Sequence, residues 1–325
     1  MISRHARLIQ LILIYILQVL LSGCAGGKST VVRSETQSQA ATQLERGLRA
    51  QSKGEINQAE RYLAASLAIS SSIEDNPARI TAHINLARLN RLKNDIGSAI
   101  PHIDQALRLS GGLPEFMAEA AYEKSLIELA QKRYDEALSW ANRSFSSDID
   151  GVQKGRRHNL LARIHRASGN RDQATFFALK GREESHNSGL PDEEANALRM
   201  LGSIERENRR FGEAGKLLLE ALGIDKLIGE SHKIALDLEE LAALSGDQGN
   251  PDMALEYLER AFSVHINGSR ENKAAAVKLK MAEIYTIKGD LPMAEKVRQS
   301  AQKLIRKETA NQDSPPESAN PSRRP

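Results

Sequence analysis

Three things are scarce in this chain of 325 residues: cysteine, aromatic side chains and an excess of either charge. The single Cys24 excludes an intramolecular disulfide and any zinc site built from several cysteines. Aromatics make up 4% against 40% hydrophobic residues, and Ala, Leu, Glu, Lys and Arg recur throughout. That is the palette of helices packed through small side chains, whereas a β-sandwich would carry more Val, Thr and Tyr. Lys and Arg number 45 against 42 Asp and Glu. A protein that grips nucleic acid needs a clear basic excess on one face, so this balance speaks against a nucleic-acid partner. Any charge-driven binding must come from local patterning.

A long apolar run is also missing. The most apolar stretch, residues 8–21, is 14 residues broken by Gln10 and Gln18, short of the roughly 20 that a spanning helix needs. Preceded by Arg4 and Arg7 and by no acid, it has the layout of a signal peptide. Leu21-Ser22-Gly23-Cys24 follows at once and resembles the lipobox of bacterial lipoproteins. The resemblance implies cleavage after residue 23, acyl chains such as palmitate on Cys24, and a tether of two or three chains strong enough to hold. A product starting at Cys24 keeps 43 basic and 42 acidic residues. Ala25 lacks the aspartate of an inner-membrane retention signal, so the resemblance favours the outer membrane, facing the periplasm. Residues 24–38 are polar and unpatterned and read as the lipidated Cys with a flexible spacer. Residues 22–29 nearly form a phosphate-binding loop, but Ser22 stands where the first Gly is required and no strand precedes it.

Beyond the spacer the chain repeats. Ala59, Ala99, Ala137, Ala174, Ala214, Ala254 and Ala294 each follow a turn, at spacings of 37 to 40. Twelve residues before them stand Gly47, Ala87, Ser125, Ala162, Gly202, Ala242 and Ala282; seven after them stand Ser66, Ala106, Ser144, Gly181, Ala221, Ala261 and Ala301. All fourteen are small, as antiparallel helices that approach closely require. Five residues before the anchor the turn reads Gly54-Glu55, Asn94-Asp95, Gly169-Asn170, Gly249-Asn250 or Gly289-Asp290. These pair a helix-ending residue with a capping one. Units three and five have Lys132-Arg133 and Arg209-Arg210 instead, followed by Tyr134 and Phe211.

These offsets resemble the small positions of the tetratricopeptide repeat. The resemblance implies an all-α fold, a right-handed α-solenoid of about seven helical hairpins over residues 39–307, ahead of a disordered tail at 308–325. The period exceeds the family's usual 34, which puts extra length into the second helix or the inter-unit loop, with Pro77, Pro114 and Pro191 as first-turn residues. Arg298 and Gln302 in unit seven replace apolar residues of other units, so its outer face is expected to meet water.

Catalytic and metal-binding patterns are incomplete. Glu183 and His186 have ligand spacing without a second such pair; His158 and His165 share a face without a third ligand; Ser300-Ala-Gln-Lys303 lacks its companion motifs. No catalytic residue, metal or cofactor is expected. In the tetratricopeptide family the first helix of each pair lines a concave groove. Carrying its groove positions over selects Arg88, Arg91, Tyr122, Arg156, Asn159, Arg163, Arg166, Arg199 and Arg206, a groove basic in its middle, with Leu126 and Leu129 beside Tyr122 as an apolar floor. Arginine forks pair bidentately with carboxylates, so the expected partner is a protein or peptide segment, acidic or carboxylate-terminated. The layout is similar to tetratricopeptide lipoproteins that act as pilus-secretin pilotins or as adaptors docking cell-wall hydrolases, which implies a scaffold rather than an enzyme.

Overall fold

The computed structural model describes residues 33–149 and 151–313, with side chains to residue 306. The signal peptide at 1–23, Cys24 and most of the spacer lie outside the described residues, as does the tail beyond 313. Among the described residues there are fourteen helices and no strand. They pair as seven hairpins: α1 (Glu35–Ser52) with α2 (Ile56–Ser72), α3 (Asn76–Leu92) with α4 (Ile96–Leu109), α5 (Pro114–Ala130) with α6 (Tyr134–Ser146), and α7 (Lys154–Ala167) with α8 (Arg171–Asn187). The last three are α9 (Pro191–Glu207) with α10 (Phe211–Ile228), α11 (Ser231–Asp247) with α12 (Pro251–Asn267), and α13 (Glu271–Ile287) with α14 (Leu291–Asp313). Each odd-numbered helix is the first, inner member of its unit.

The small positions are the seams. Every anchor alanine is 0% exposed, and the positions twelve before and seven after it are buried in all seven units. Size is exchanged across the seam: a Cβ on Gly47 would meet the Leu63 side chain at 2.8 Å, and one on Gly202 would meet Leu218 at 2.7 Å. Where serine takes a small position it braces the hairpin. Ser66 Oγ donates to the Ala40 carbonyl at 2.9 Å, and Ser144 Oγ makes the equivalent bond to Ala118 at 2.7 Å. Leu63, Ile103, Leu218 and Leu258 fill the hairpin interiors, each burial contributing about 1.5–3 kcal/mol. At the same position of the last unit Arg298 is half-exposed and donates to Thr286 Oγ1 at 2.8 Å, while Gln302 is exposed, as an end facing water requires.

All seven turns within hairpins share one conformation. The residue five before the anchor is left-handed: Gly54, Asn94, Lys132, Gly169, Arg209, Gly249 and Gly289. The next N–H closes the turn on a carbonyl five residues back, as in Asp95 to Asn90 at 2.8 Å and Asp290 to Tyr285 at 3.0 Å. Asp95, Asn170, Asn250 and Asp290 then cap the second helix through their side chains, at 3.1–3.3 Å. Glu55, Arg133 and Arg210 supply no such side-chain bond.

The long period is shared by both helices instead of being carried by the second alone. In the sixth unit each helix has 17 residues and each turn three. The shorter spacings arise where α4 and α7 have 14 residues and α6 has 13. Pro77, Pro114 and Pro191 sit in first turns as expected. Two boundaries shift. Ser34 and Gln37 form a reciprocal capping box that starts α1 inside the stretch read as spacer, and α14 continues through residues 308–313 of the expected tail.

Candidate functional site: the inner groove

The inner helices present a depression of about 350 Å³ lined from α5, α7, α9 and α11 by Tyr122, Asn159, Leu160, Arg163, Arg166, Glu193, Asn196, Arg199, Met200, Ser203, Leu236 and Glu240. Of the nine residues expected in the groove, Tyr122, Asn159, Arg163, Arg166 and Arg199 meet here. Arg88 and Arg91 lie further toward the N-terminal hairpins on α3, Arg156 beside Tyr122 on α7, and Arg206 toward the far end of α9. Leu126 is buried in the core and Leu129 packs against the same cluster, so neither forms a floor to the groove.

Most of these arginines are already occupied. Arg88 Nε and Arg91 Nε bind the fully buried Glu123 carboxylate at 3.2 and 2.5 Å. Arg156 and the buried Arg157 both reach Glu119 at 2.8 Å, and the Arg156 guanidinium lies 3.9 Å over the Tyr122 ring. Burial works to raise the Glu119 pKa, but Arg156 and Arg157 together hold it below the usual carboxylate value. Arg166 Nη2 meets Glu207 at 2.6 Å, Arg199 Nε meets Asp237 at 2.6 Å and also binds Asp225, and Arg206 Nη1 meets Asp247 at 2.7 Å. Asn159 donates to the Glu193 carbonyl and carboxylate at 2.9 and 3.0 Å.

With one exception, the Asp225 bond from α10, each of these bonds joins neighbouring inner helices. They form a ladder across the unit junctions. The arginines therefore face Glu119, Glu123, Glu193, Glu207, Asp225, Asp237, Glu240 and Asp247, and the expected basic stretch is neutralised from within. The physical reason is packing: an inner helix must satisfy a neighbour about 40 residues away before it can address a ligand.

Arg163 stands apart. It is exposed toward the groove, and no hydrogen bond or salt bridge joins it to any described residue. Crowding by the surrounding protein and repulsion from Arg91 outweigh the pull of Tyr122 and of Glu123, which Arg88 and Arg91 already share, so its pKa falls below the ordinary arginine value. Arginine nevertheless remains a cation at any physiological pH. It is thus a groove-facing positive charge in the depression that Tyr122, Leu160 and Met200 also line, with no carboxylate paired to it.

The other titratable candidates have structural surroundings. His165 stacks on Phe177 at 5.3 Å, and His158 lies between Phe145 and Phe177 at 4.9 and 6.0 Å. His186 Nδ1 meets Glu194 at 3.1 Å. Among the described residues no group of three or more His, Cys, Asp or Glu is placed to hold a metal ion, and no helix is long and apolar enough to cross a membrane.

Comparison with known proteins rests on the same repeat. Residues 38–110 and residues 84–148 match two family models, each described as tetratricopeptide repeat, and residues 192–316 match the soluble NSF attachment protein model. No curated protein sequence matches this one. Among solved structures, a Rap protein complexed with Competence and Sporulation Factor is similar at a TM-score of 0.62 and 14% identity, over 82% of this chain and 76% of that one. BtubC (BKLC) from P. vanneervenii is similar at 0.54 and 21% identity, over 72% and 96%. The apo quorum sensor NprR from B. thuringiensis is similar at 0.54 and 14% identity, over 83% and 77%. At these identities the likenesses speak to the fold. With seven hairpins built on the same small positions and the same left-handed turn, the chain belongs to the tetratricopeptide repeat proteins.

Proposed function

We propose that this protein is a non-enzymatic scaffold, tethered by lipid on Cys24 to the periplasmic face of the outer membrane, that holds an acidic or carboxylate-terminated segment of a partner and so supports assembly of an envelope complex. The observation that carries the partner's chemistry is Arg163. An exposed guanidinium facing the groove with no carboxylate paired to it is an unfilled anion site, whereas Arg88, Arg91, Arg166 and Arg199 have their anions already. The apolar sides of the depression would pack the stem of the bound segment. A Rap protein seen complexed with Competence and Sporulation Factor supports a bound partner for this kind of fold.

The test is fluorescence anisotropy of a glutamate-rich peptide against the full chain and Arg163→Glu. A lost charge-assisted hydrogen bond of about 1.5–3 kcal/mol predicts affinity reduced about tenfold or more at unchanged thermal stability. Equal affinity would reject the site. For the tether, the full chain expressed in cells fed radiolabelled palmitate should take up label and Cys24→Ser should not; no label on the native chain would reject the lipid.

A further inference from the structure

The first hairpin comes back against the junction of the sixth and seventh. Gly54 lies in the turn between α1 and α2, and a Cβ placed on it would sit 3.7 Å from the carbonyl oxygen of Ser269, in the turn between α12 and α13. Those turns belong to opposite edges of the hairpin stack, since one joins the helices of a unit and the other joins two units. They meet only when the stack has curled through one full turn and its edge rests on the edge of the next. Six steps between inner helices, from α1 to α13, therefore complete the turn.

The inner space follows from helix dimensions. Neighbouring inner helices about 10 Å apart describe a circle of radius about 10 Å. Subtracting a helix radius of about 5–6 Å leaves a lumen of radius about 4–5 Å. That holds one extended chain and excludes a folded domain. The tight curvature agrees with a depression touched by four successive inner helices. Leu48 on α1 stands at the register position that Arg163 holds in its unit, and Leu279 on α13 at that of Tyr122; each is 40% exposed. The lumen thus runs from apolar at the first unit, through the charged middle, to a mixed last unit in which the exposed Glu283 takes the register position of Leu48 and Arg163.

We propose that the seven hairpins close into a lock-washer ring, its two ends meeting edge on edge, whose lumen encloses one extended partner segment with apolar residues beside an acidic one, and that the Gly54–Ser269 contact is the latch that opens to admit it. The acidic residue rests on the function proposed above; the ring and its latch do not. An internal segment of a larger protein, blocked at both ends by folded domains, can enter such a ring only through the latch.

The experiment is the full chain carrying Gly54→Cys and Ser269→Cys, oxidised gently, with linked peptides mapped by mass so that Cys24 does not confuse the reading. The bridge is expected to form at least tenfold faster than in a control with Gly54→Cys and Ser188→Cys, whose second site lies elsewhere around the ring. A rate no faster than the control overturns closure. The probe is a segment of alternating leucine and glutamate fused between two folded domains, one of them fluorescent. Bridging first should lower its binding at least tenfold, and bridging after loading should trap it through gel filtration; equal binding by bridged and reduced protein overturns the latch. Fast bridging with no binding by the reduced protein would retain the ring and overturn the acidic segment.

Discussion

Arg199 of α9 and Asp237 of α11, 38 residues apart in the chain, meet at 2.6 Å across the junction between the fifth and sixth hairpins. The same guanidinium also binds Asp225 of α10, and both carboxyls are fully buried. One cation faces two acids, so the neutral arrangement keeps a proton on the pair. Burial raises both carboxyls, Asp225 to about 7, and Arg199 limits the rise.

An acid raised in the native state binds a proton that the unfolded chain releases. Its contribution is complete below about pH 4 and is lost as pH rises through about 7. His83 and His232 work in the opposite direction. Burial first, then neighbouring cations and a second histidine, lower each to about 4, so their contribution is complete above 6.5 and is lost on acidification. The opposing slopes share one window, and comparison with a variant separates them. Asp225→Asn should remove the decline toward neutral pH, leaving thermal stability that falls on going from pH 7 to 4 more steeply than in the native chain. Parallel melting curves over that range would refute the shared proton.

Glu123→Gln should be costly. It leaves Arg88 and the largely buried Arg91 without their carboxylate, and removing one partner of a buried pair costs about 3–5 kcal/mol. Chemical denaturation should show the loss; Glu45→Gln, whose partner Arg49 is exposed with it, should change stability by less than about 1 kcal/mol.

Gly155→Ala should destabilise although alanine is the better helix former. A Cβ there would stand 2.8 Å from the Ser185 amide nitrogen and 3.0 Å from the Gly181 carbonyl oxygen. Those are backbone atoms of α8, so the helices must part. A cost of about 1–3 kcal/mol is expected, read as a lowered melting temperature.

Lys132→Gly and Arg209→Gly should have the reverse effect. Both residues hold φ at 60°, where other units use glycine or asparagine. Relieving the left-handed strain should outweigh glycine's added freedom in the unfolded chain and gain about 0.5–1 kcal/mol at each site. Unchanged or lower stability would mean that these side chains hold the turns by contacts of their own.

Hairpin count, turn positions and seams were legible in the chain because they are local: a small residue recurs wherever two helices touch within one unit, and a left-handed residue wherever the first helix ends. The apolar-to-polar change at Arg298 marked the end of the stack for the same reason. The candidate arginines were legible as positions on a helix face. Their partners were not, since Glu123, Glu207 and Asp237 lie 32 to 41 residues away and meet them only once units stack. That stacking turned an apparently basic face into an internal ladder and left Arg163 as its unmatched charge. The return of Gly54 to Ser269 is further still from local sequence. It sums the small rotations at six unit junctions, each set by side-chain shape across a whole interface, and no window of the sequence contains that sum.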